Sequence, residues 1–277
     1  MKSLLIRTLT GILFITIVTF SIIFSGKVLF NVFLLFSCIA LFEYRTLLVQ
    51  RGINLSFFFY IAALLVYFLM SYTKIRSIIT GEMLLLLIVV VFFLLFVIEL
   101  FRKKENPFTN TGYSIAGIIW IIVPFSLINS IPSMLSHGGE YFLLSLFIFV
   151  WLYDTMAYCI GSLVGKHRLM ERISPKKSWE GAIGGTILLV GLSFFMHRIF
   201  TVLPLSVIQW IILAFIVAVV ATVGDLVESL FKRQLLVKDS GFILPGHGGI
   251  LDRFDSILFV IPFASLYLIL IKQIHII

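Results

Sequence analysis

Apolar stretches of membrane-crossing length alternate with short polar breaks along almost the whole chain. A helix needs about 20 mostly apolar residues to cross the hydrocarbon core. Such stretches fall near 9–24, 28–48, 55–73, 82–101, 113–134, 141–162, 181–200, 206–230 and 256–274. The pattern predicts an all-α, polytopic integral membrane protein with about nine transmembrane helices. The first stretch follows Lys2 and Arg7 as a signal peptide would, but it lacks a convincing small-residue cleavage site. It also opens a series of spans, so it is expected to be retained. No internal repeat or low-complexity tract interrupts the series, and no inverted repeat of the transporter kind is evident.

Composition supports the same class. Hydrophobic residues make up 61% of the 277 positions and charged residues 12%. A soluble domain carries about 25% charged residues, so this chain could not cover a globule with polar surface. The two cysteines, Cys38 and Cys159, sit inside apolar runs and imply neither a disulfide framework nor a cysteine metal site. The net charge of +8 suits a protein facing anionic lipid and phosphate-bearing substrates, although retention of basic loops gives the same sign. The lipid bilayer is the expected environment, and no nucleic-acid partner is expected.

The basic residues orient the spans. With a cytoplasmic N-terminus, nine spans place 16 of the 21 Lys and Arg residues on the inner side and 5 on the outer. Short loops rich in Lys and Arg stay in the cytoplasm, whereas eight or ten spans would scramble the alternation. The two long polar loops, 163–180 and 231–255, then face the cytoplasm, where nucleotides are. Residues 1–135 are expected to form a transmembrane scaffold of about five helices, and 136–277 a catalytic transmembrane region. Within the scaffold, Glu43, Tyr44 and Arg45, and Arg102 to Glu105, are expected to be interfacial residues that snorkel to the headgroups. The Phe-rich runs Phe57–Phe59 and Phe92–Phe93 are expected to pack or face lipid.

The sixth stretch changes character, because Asp154 lies well inside it. A carboxylate at that depth costs about 2.5–3.5 kcal/mol on insertion scales and is usually functional or paired. Trp151 and Tyr158, at i−3 and i+4, share its face. Beyond it, Lys176 and Lys177 precede the start of the seventh stretch. Helix N-termini favour anions, so the two lysines suit a phosphate site, though anchoring at the membrane face would also explain them. The run from Gly161 to Gly165, Lys166 and His167 looks like a Walker A loop but is rejected. It has three residues between the glycines instead of four, and His167 stands where Ser or Thr should be.

Chemistry concentrates between Gly224 and Asp255. Asp225, Glu228 and Ser229 fall at i, i+3 and i+4, on one helix face, and Asp252 and Asp255 repeat the i, i+3 spacing. Two such pairs brought together would form an all-oxygen site of the kind that suits Mg²⁺. Pro245 to Gly249 forms a tight loop whose glycines permit positive φ and close backbone approach, as a phosphate-cradling nest requires. Lys232, Arg233, Lys238 and Arg253 can neutralise a polyphosphate. Metal, nest and cations together are the parts that phosphoryl or nucleotidyl transfer needs.

These residues carry a family resemblance. Ser229 to Arg233, Lys238-Asp239-Ser240-Gly241, and the run Pro245 to Asp255 with His247, Gly248, Gly249, Asp252 and Arg253 match the signature of CDP-diacylglycerol synthases, the phosphatidate cytidylyltransferases. Asp154-Thr155, Gly165-Lys166, Ser174 to Gly181 and Gly224 to Ser229 resemble that family too, so the likeness is strong over 150–255. It implies Mg²⁺-dependent transfer of cytidylyl from CTP to phosphatidic acid, giving CDP-diacylglycerol and pyrophosphate. Members of that family are multi-span bacterial inner-membrane or eukaryotic ER proteins, and homodimers are known among them. With the orientation above, a bacterial inner membrane with the active site facing the cytoplasm is expected.

On that basis Asp225 and Asp252 are expected to ligate the metal, with Asp255 and Glu228 as further ligands or supports. Lys232, Arg233, Lys238 and Arg253 would hold the phosphates. His247 with the Gly248 and Gly249 amides would support the transition state. Asp154, Lys176, Lys177 and Ser229 would complete the substrate pocket. Two alternatives stay open at this stage. One is CTP-dependent transfer to a polyprenol or ether lipid. The other is an ion-coupled transporter using Asp154 and Glu228 as relays.

Overall fold

The computed structural model describes residues 2–71, 79–246 and 248–274, with side chains from Ile6 onward. It is helical almost throughout. In chain order the helices are α1 (Lys2–Phe24), α2 (Gly26–Val49), α3 (Phe58–Ser71), α4 (Gly81–Phe101) and α5 (Pro107–Gly117). A π-helical turn, Ile118–Ile122, carries α5 into α6 (Val123–Ser130). Then come α7 (Gly139–Val164), α8 (Trp179–Ile199), α9 (Val207–Gln234) and α10 (Leu251–Gln273).

Eight segments are long and apolar enough to cross a membrane, and α3 adds a shorter apolar helix of 14 residues. That makes nine apolar segments among the described residues, in the expected order, and the chain is an all-α multi-pass integral membrane protein. The one departure is a hairpin in the loop 163–180, where β1 (Arg168–Met170) pairs antiparallel with β2 (Ser174–Ser178).

The chain divides into two compact units. One joins Met1–Ser130 to Asp239–Arg253, and the other joins Ile131–Lys238 to Phe254–Ile277. In the first, an aromatic core of Phe33, Tyr44, Phe59, Tyr67 and Phe125 is fully buried. The polar ends of those rings are satisfied inside it. The Tyr44 hydroxyl donates to the Tyr113 carbonyl and that of Tyr67 to the Phe30 carbonyl, both at 2.9 Å.

Glu43 and Arg102, both expected at the headgroup level, are instead tied into this unit. Glu99 accepts from Arg102 at 2.6 Å and from Asn110 at 2.9 Å, and Arg102 also donates to the Asn54 carbonyl. Glu43 is buried, at 3% exposure, and bonds residues of the 239–253 segment. Burying a carboxylate costs several kcal/mol unless donors replace its water, so both found donors within the fold. Phe57 and Phe93 do point outward, while Phe59 packs inside.

In the second unit, α7 and α8 pack through small residues. A Cβ on Gly181 would lie 2.6 Å from the Ala157 carbonyl oxygen, and one on Gly185 would lie 3.0 Å from the Ala157 Cβ. Small residues one turn apart let helix backbones approach this closely. Gly161 and Gly165, the glycines of the rejected Walker A run, belong to the same contact, with Gly165 against Ser178. Ser178 caps α8, its Oγ accepting from the Gly181 amide at 3.2 Å. At the start of α9, Ser206 and Gln209 form a capping box.

Candidate active site

α9 continues to Gln234, beyond the apolar stretch, and so carries Asp225, Glu228, Ser229, Lys232 and Arg233 on one helix. Asp225, Glu228, Ser229 and Lys232 recur at helical spacing on one face, and their contacts follow from it. Ser229 Oγ donates to Asp225 Oδ1 at 3.2 Å, and Lys232 Nζ lies 2.5 Å from Glu228 Oε2. Gly224 brings α10 against this face, since a Cβ there would lie 2.9 Å from the Phe259 Cβ and 3.0 Å from the Asp255 carbonyl oxygen. The missing side chain lets the two backbones meet, and Asp255 joins the acids of α9.

The result is a trio. One carboxylate oxygen each from Asp225, Glu228 and Asp255 lie within 4.8 Å of one another. Glu228 is fully buried and the other two are half-buried. Three carboxylates at that spacing repel, and two lysines offset them. Lys232 serves Glu228, and Lys177, reaching in from β2, lies 2.5 Å from Asp225 Oδ2. The hairpin thus delivers a cation to the acids, and Arg233 fastens it by donating to the Ile173 carbonyl at 3.3 Å. The trio is all oxygen and carries one more negative charge than its lysines supply, which fits a hard divalent cation such as Mg²⁺.

The remaining expected site residues are distributed as follows. Lys176 and Lys238 are exposed at the surface of this unit. Asp154 lies on α7 with an exposed side chain, next to Tyr153, whose hydroxyl is hydrogen-bonded to Thr222.

Asp252, Gly248, Gly249 and Arg253 belong to the first unit. There Asp252 Oδ2 accepts from the Ser240 amide at 2.8 Å, the Ser240 hydroxyl at 3.0 Å and the Gly249 amide at 2.8 Å. Gly246 and Gly248 have φ of +77° and +83°, the left-handed conformation expected of this turn. The Gly249 amide is directed at Asp252, so in this conformation the turn cradles a carboxylate of its own chain. Arg253 is exposed. His247 lies outside the described residues.

A second feature of the C-terminal unit was not anticipated. An open cavity of about 970 Å³ has a polar rim that includes Lys166, Arg168 and Glu180, and an apolar wall of Trp179, Ile183 and Ile187. Glu180 holds this lining together, accepting from the Lys166 amide at 3.1 Å and lying 2.6 Å from His167 Nδ1. Charge beside an apolar helix face suits an amphiphile. Glu43 also went unread as a site residue. An acid well inside an apolar stretch was the available signal.

Comparison with known proteins agrees with this chemistry. The phosphatidate cytidylyltransferase of Staphylococcus saprophyticus is 41% identical over 167 residues, 60% of this chain and 62% of that protein. Those of Staphylococcus epidermidis and Staphylococcus aureus are 46% identical over 134 residues and 40% over 171, covering 51% and 62% of their lengths. The matched region thus spans less than two thirds of these relatives. The cytidylyltransferase family as a whole is matched over residues 5–271, nearly the full chain, and the protein therefore belongs to the cytidylyltransferase family.

Proposed function

We propose that this protein transfers the cytidylyl group of CTP to phosphatidic acid, forming CDP-diacylglycerol and releasing pyrophosphate. The observation that carries this is the carboxylate trio flanked by two ion-paired lysines, in a membrane chain of the cytidylyltransferase family. A phosphate oxygen of phosphatidic acid attacks the α-phosphorus of CTP. As that P–O bond forms, the bond from the α-phosphorus to the bridging oxygen breaks, and its electron pair leaves with pyrophosphate. No enzyme nucleophile is required.

The oxygen donors of Asp225, Glu228 and Asp255 fit Mg²⁺, and the sequence resemblance names Asp252 as another. When bound, such an ion neutralises charge that develops on the phosphate oxygens. The chain's own residues supply the rest. Lys177 and Lys232, which meet Asp225 and Glu228, would be available to the triphosphate if those carboxylates held an ion. Lys176 and Lys238 are exposed cations of the same unit and add to the phosphate field.

The cavity beside the hairpin suits the lipid substrate. Lys166 and Arg168, among its mixed charges, match a phosphate headgroup, and its apolar side chains match an acyl chain. Changing Arg168 or Lys166 to Ala is expected to raise KM for phosphatidic acid about tenfold, as loss of one charge-assisted contact does. KM for CTP should hardly change. Initial rates at varied lipid in mixed micelles check this, and equal effects on both substrates would remove the cavity from the lipid path.

The active side faces the cytoplasm of a bacterial inner membrane in this proposal, supported by the distribution of Lys and Arg and by the bacterial relatives. A homodimer, implied by the sequence resemblance, is open to cross-linking of the purified protein. The reaction itself is tested by incubating purified protein with labelled CTP and phosphatidic acid. Pyrophosphate released only with that lipid supports the proposal. Release with a polyprenol or ether-lipid phosphate instead would reassign the acceptor, and release with no lipid at all would sink it.

A further inference from the structure

Glu43 is the buried acid that the proposed reaction leaves unused. It sits on α2, inside the apolar segment Gly26–Val49, at 3% exposure. Its two oxygens reach residues about 200 positions away. Oε1 accepts from the Ile250 amide at 3.0 Å, and Oε2 from the Leu251 amide at 2.9 Å. These amides open α10, where unpaired N–H groups and the helix dipole favour an anion. The Ser240 hydroxyl lies 3.3 Å from Glu43 Oε2 and 3.0 Å from Asp252 Oδ2, bridging the two acids.

The surrounding glycines are fitted to this carboxylate. A Cβ on Gly241 would lie 2.6 Å from Glu43 Oε1, and one on Gly249 would lie 2.6 Å from the same oxygen and closer still to Ser240 Oγ. The turn therefore closes around Glu43 on both sides, and its spacing from the helix start is set by one side chain. That helix start carries Asp252 in its first turn and Asp255 one turn later.

From this geometry we propose that Glu43 is a positioning residue for the cytidylyltransferase site, locking the 239–251 turn and the first turn of α10. The inference rests on the function proposed above, because it is that reaction which needs Asp252 and the Gly248 and Gly249 amides held in place. Glu43 itself touches no reacting atom. A carboxylate is required, since each of its oxygens meets an N–H donor. A glutamine would turn its own NH₂ toward one of them, leaving donor against donor.

The test compares wild type, Glu43→Gln and Glu43→Asp as purified full-length proteins in detergent. Hydrogen exchange is followed at the amides of 239–251, and kcat and KM for CTP are measured. Removal of supporting partners around a site typically costs about 10- to 100-fold. E43Q is expected to lose kcat by that factor, with little change in KM and faster exchange confined to this turn. E43D, which keeps the charge but is one methylene shorter, should recover part of kcat.

Unchanged exchange and kcat in E43Q would overturn the proposal. So would a lowered melting temperature with normal kcat per folded molecule, which is what a merely structural role predicts. If E43Q does not accumulate folded, Ser240→Ala removes the bridging hydroxyl and is expected to give the same pattern with a smaller loss. The exchange arm does not depend on turnover. A wild type that consumes no CTP would therefore overturn the functional proposal alone.

Discussion

Changing Asp225 to Asn is expected to reduce CDP-diacylglycerol formation by at least about 100-fold, the factor that follows from losing about 3 kcal/mol of charge stabilisation at a metal-assisted site. The substitution keeps the shape of the side chain and the hydrogen bond from Ser229, but removes one of three anionic donors. It also leaves Lys177 without the carboxylate it now meets at 2.5 Å. Asp255→Asn should behave alike. Combining the two should cost little more than either alone, because residues that act as a unit are not additive. Both are checked by rate against Mg²⁺ concentration with CTP and phosphatidic acid saturating. Near-normal, Mg²⁺-dependent synthesis in D225N would remove the trio from the mechanism.

The parts legible in the sequence were those written locally. Twenty-residue apolar stretches, broken by charge and glycine, sufficed to place nine segments, because the bilayer admits few other solutions for a backbone. Asp225, Glu228 and Asp255 were visible for the same reason. The i, i+3 spacing of Asp225 with Glu228, and of Asp252 with Asp255, fixes which helix face each occupies before any tertiary contact is known. The hairpin Arg168–Ser178 was not legible, since Ser174 to Ser178 has no alternation of apolar and polar residues to mark a strand.

What stayed hidden depends on partners far along the chain. Glu43 meets residues 207 and 208 positions away, and its place in an apolar stretch marks it as an unusual acid without saying which donors it meets. Lys176 and Lys177 were equal candidates for a phosphate site, and only the hairpin distinguishes Lys177 by turning it onto Asp225. The glycines show the same limit in another form. Gly161 and Gly165 invited comparison with a phosphate loop, whereas their use is to let α7 meet Ser178 and Gly181. A missing side chain signals close approach, but the sequence does not say of what. At Gly246 and Gly248 the local signal was enough, because a positive φ is a property of the residue itself.

Gly224 joins these themes, and its substitution is expected to have the second large effect. The α9 and α10 backbones touch there, so Gly224→Ala puts a methyl 2.9 Å from the Phe259 Cβ and 3.0 Å from the Asp255 carbonyl oxygen. The carbonyl belongs to helical backbone and cannot rotate away, so α10 must shift, carrying the Asp255 carboxylate away from Asp225 and Glu228. Overpacking of this kind costs about 1–3 kcal/mol, so G224A is expected to lose about tenfold in activity and to need more Mg²⁺. Gly224→Leu should lose about 100-fold or more. Trimming the opposing side chain supplies the control. Phe259→Gly in the G224A background removes the Cβ that the methyl meets and should restore part of the Mg²⁺ response, a coupling that a double-mutant cycle measures directly. Activity and thermal melting followed together in detergent separate a displaced carboxylate from a protein that has simply unfolded. A G224L protein with normal rate and normal Mg²⁺ requirement would show that the approach of α10 to α9 does not set the geometry of the acids.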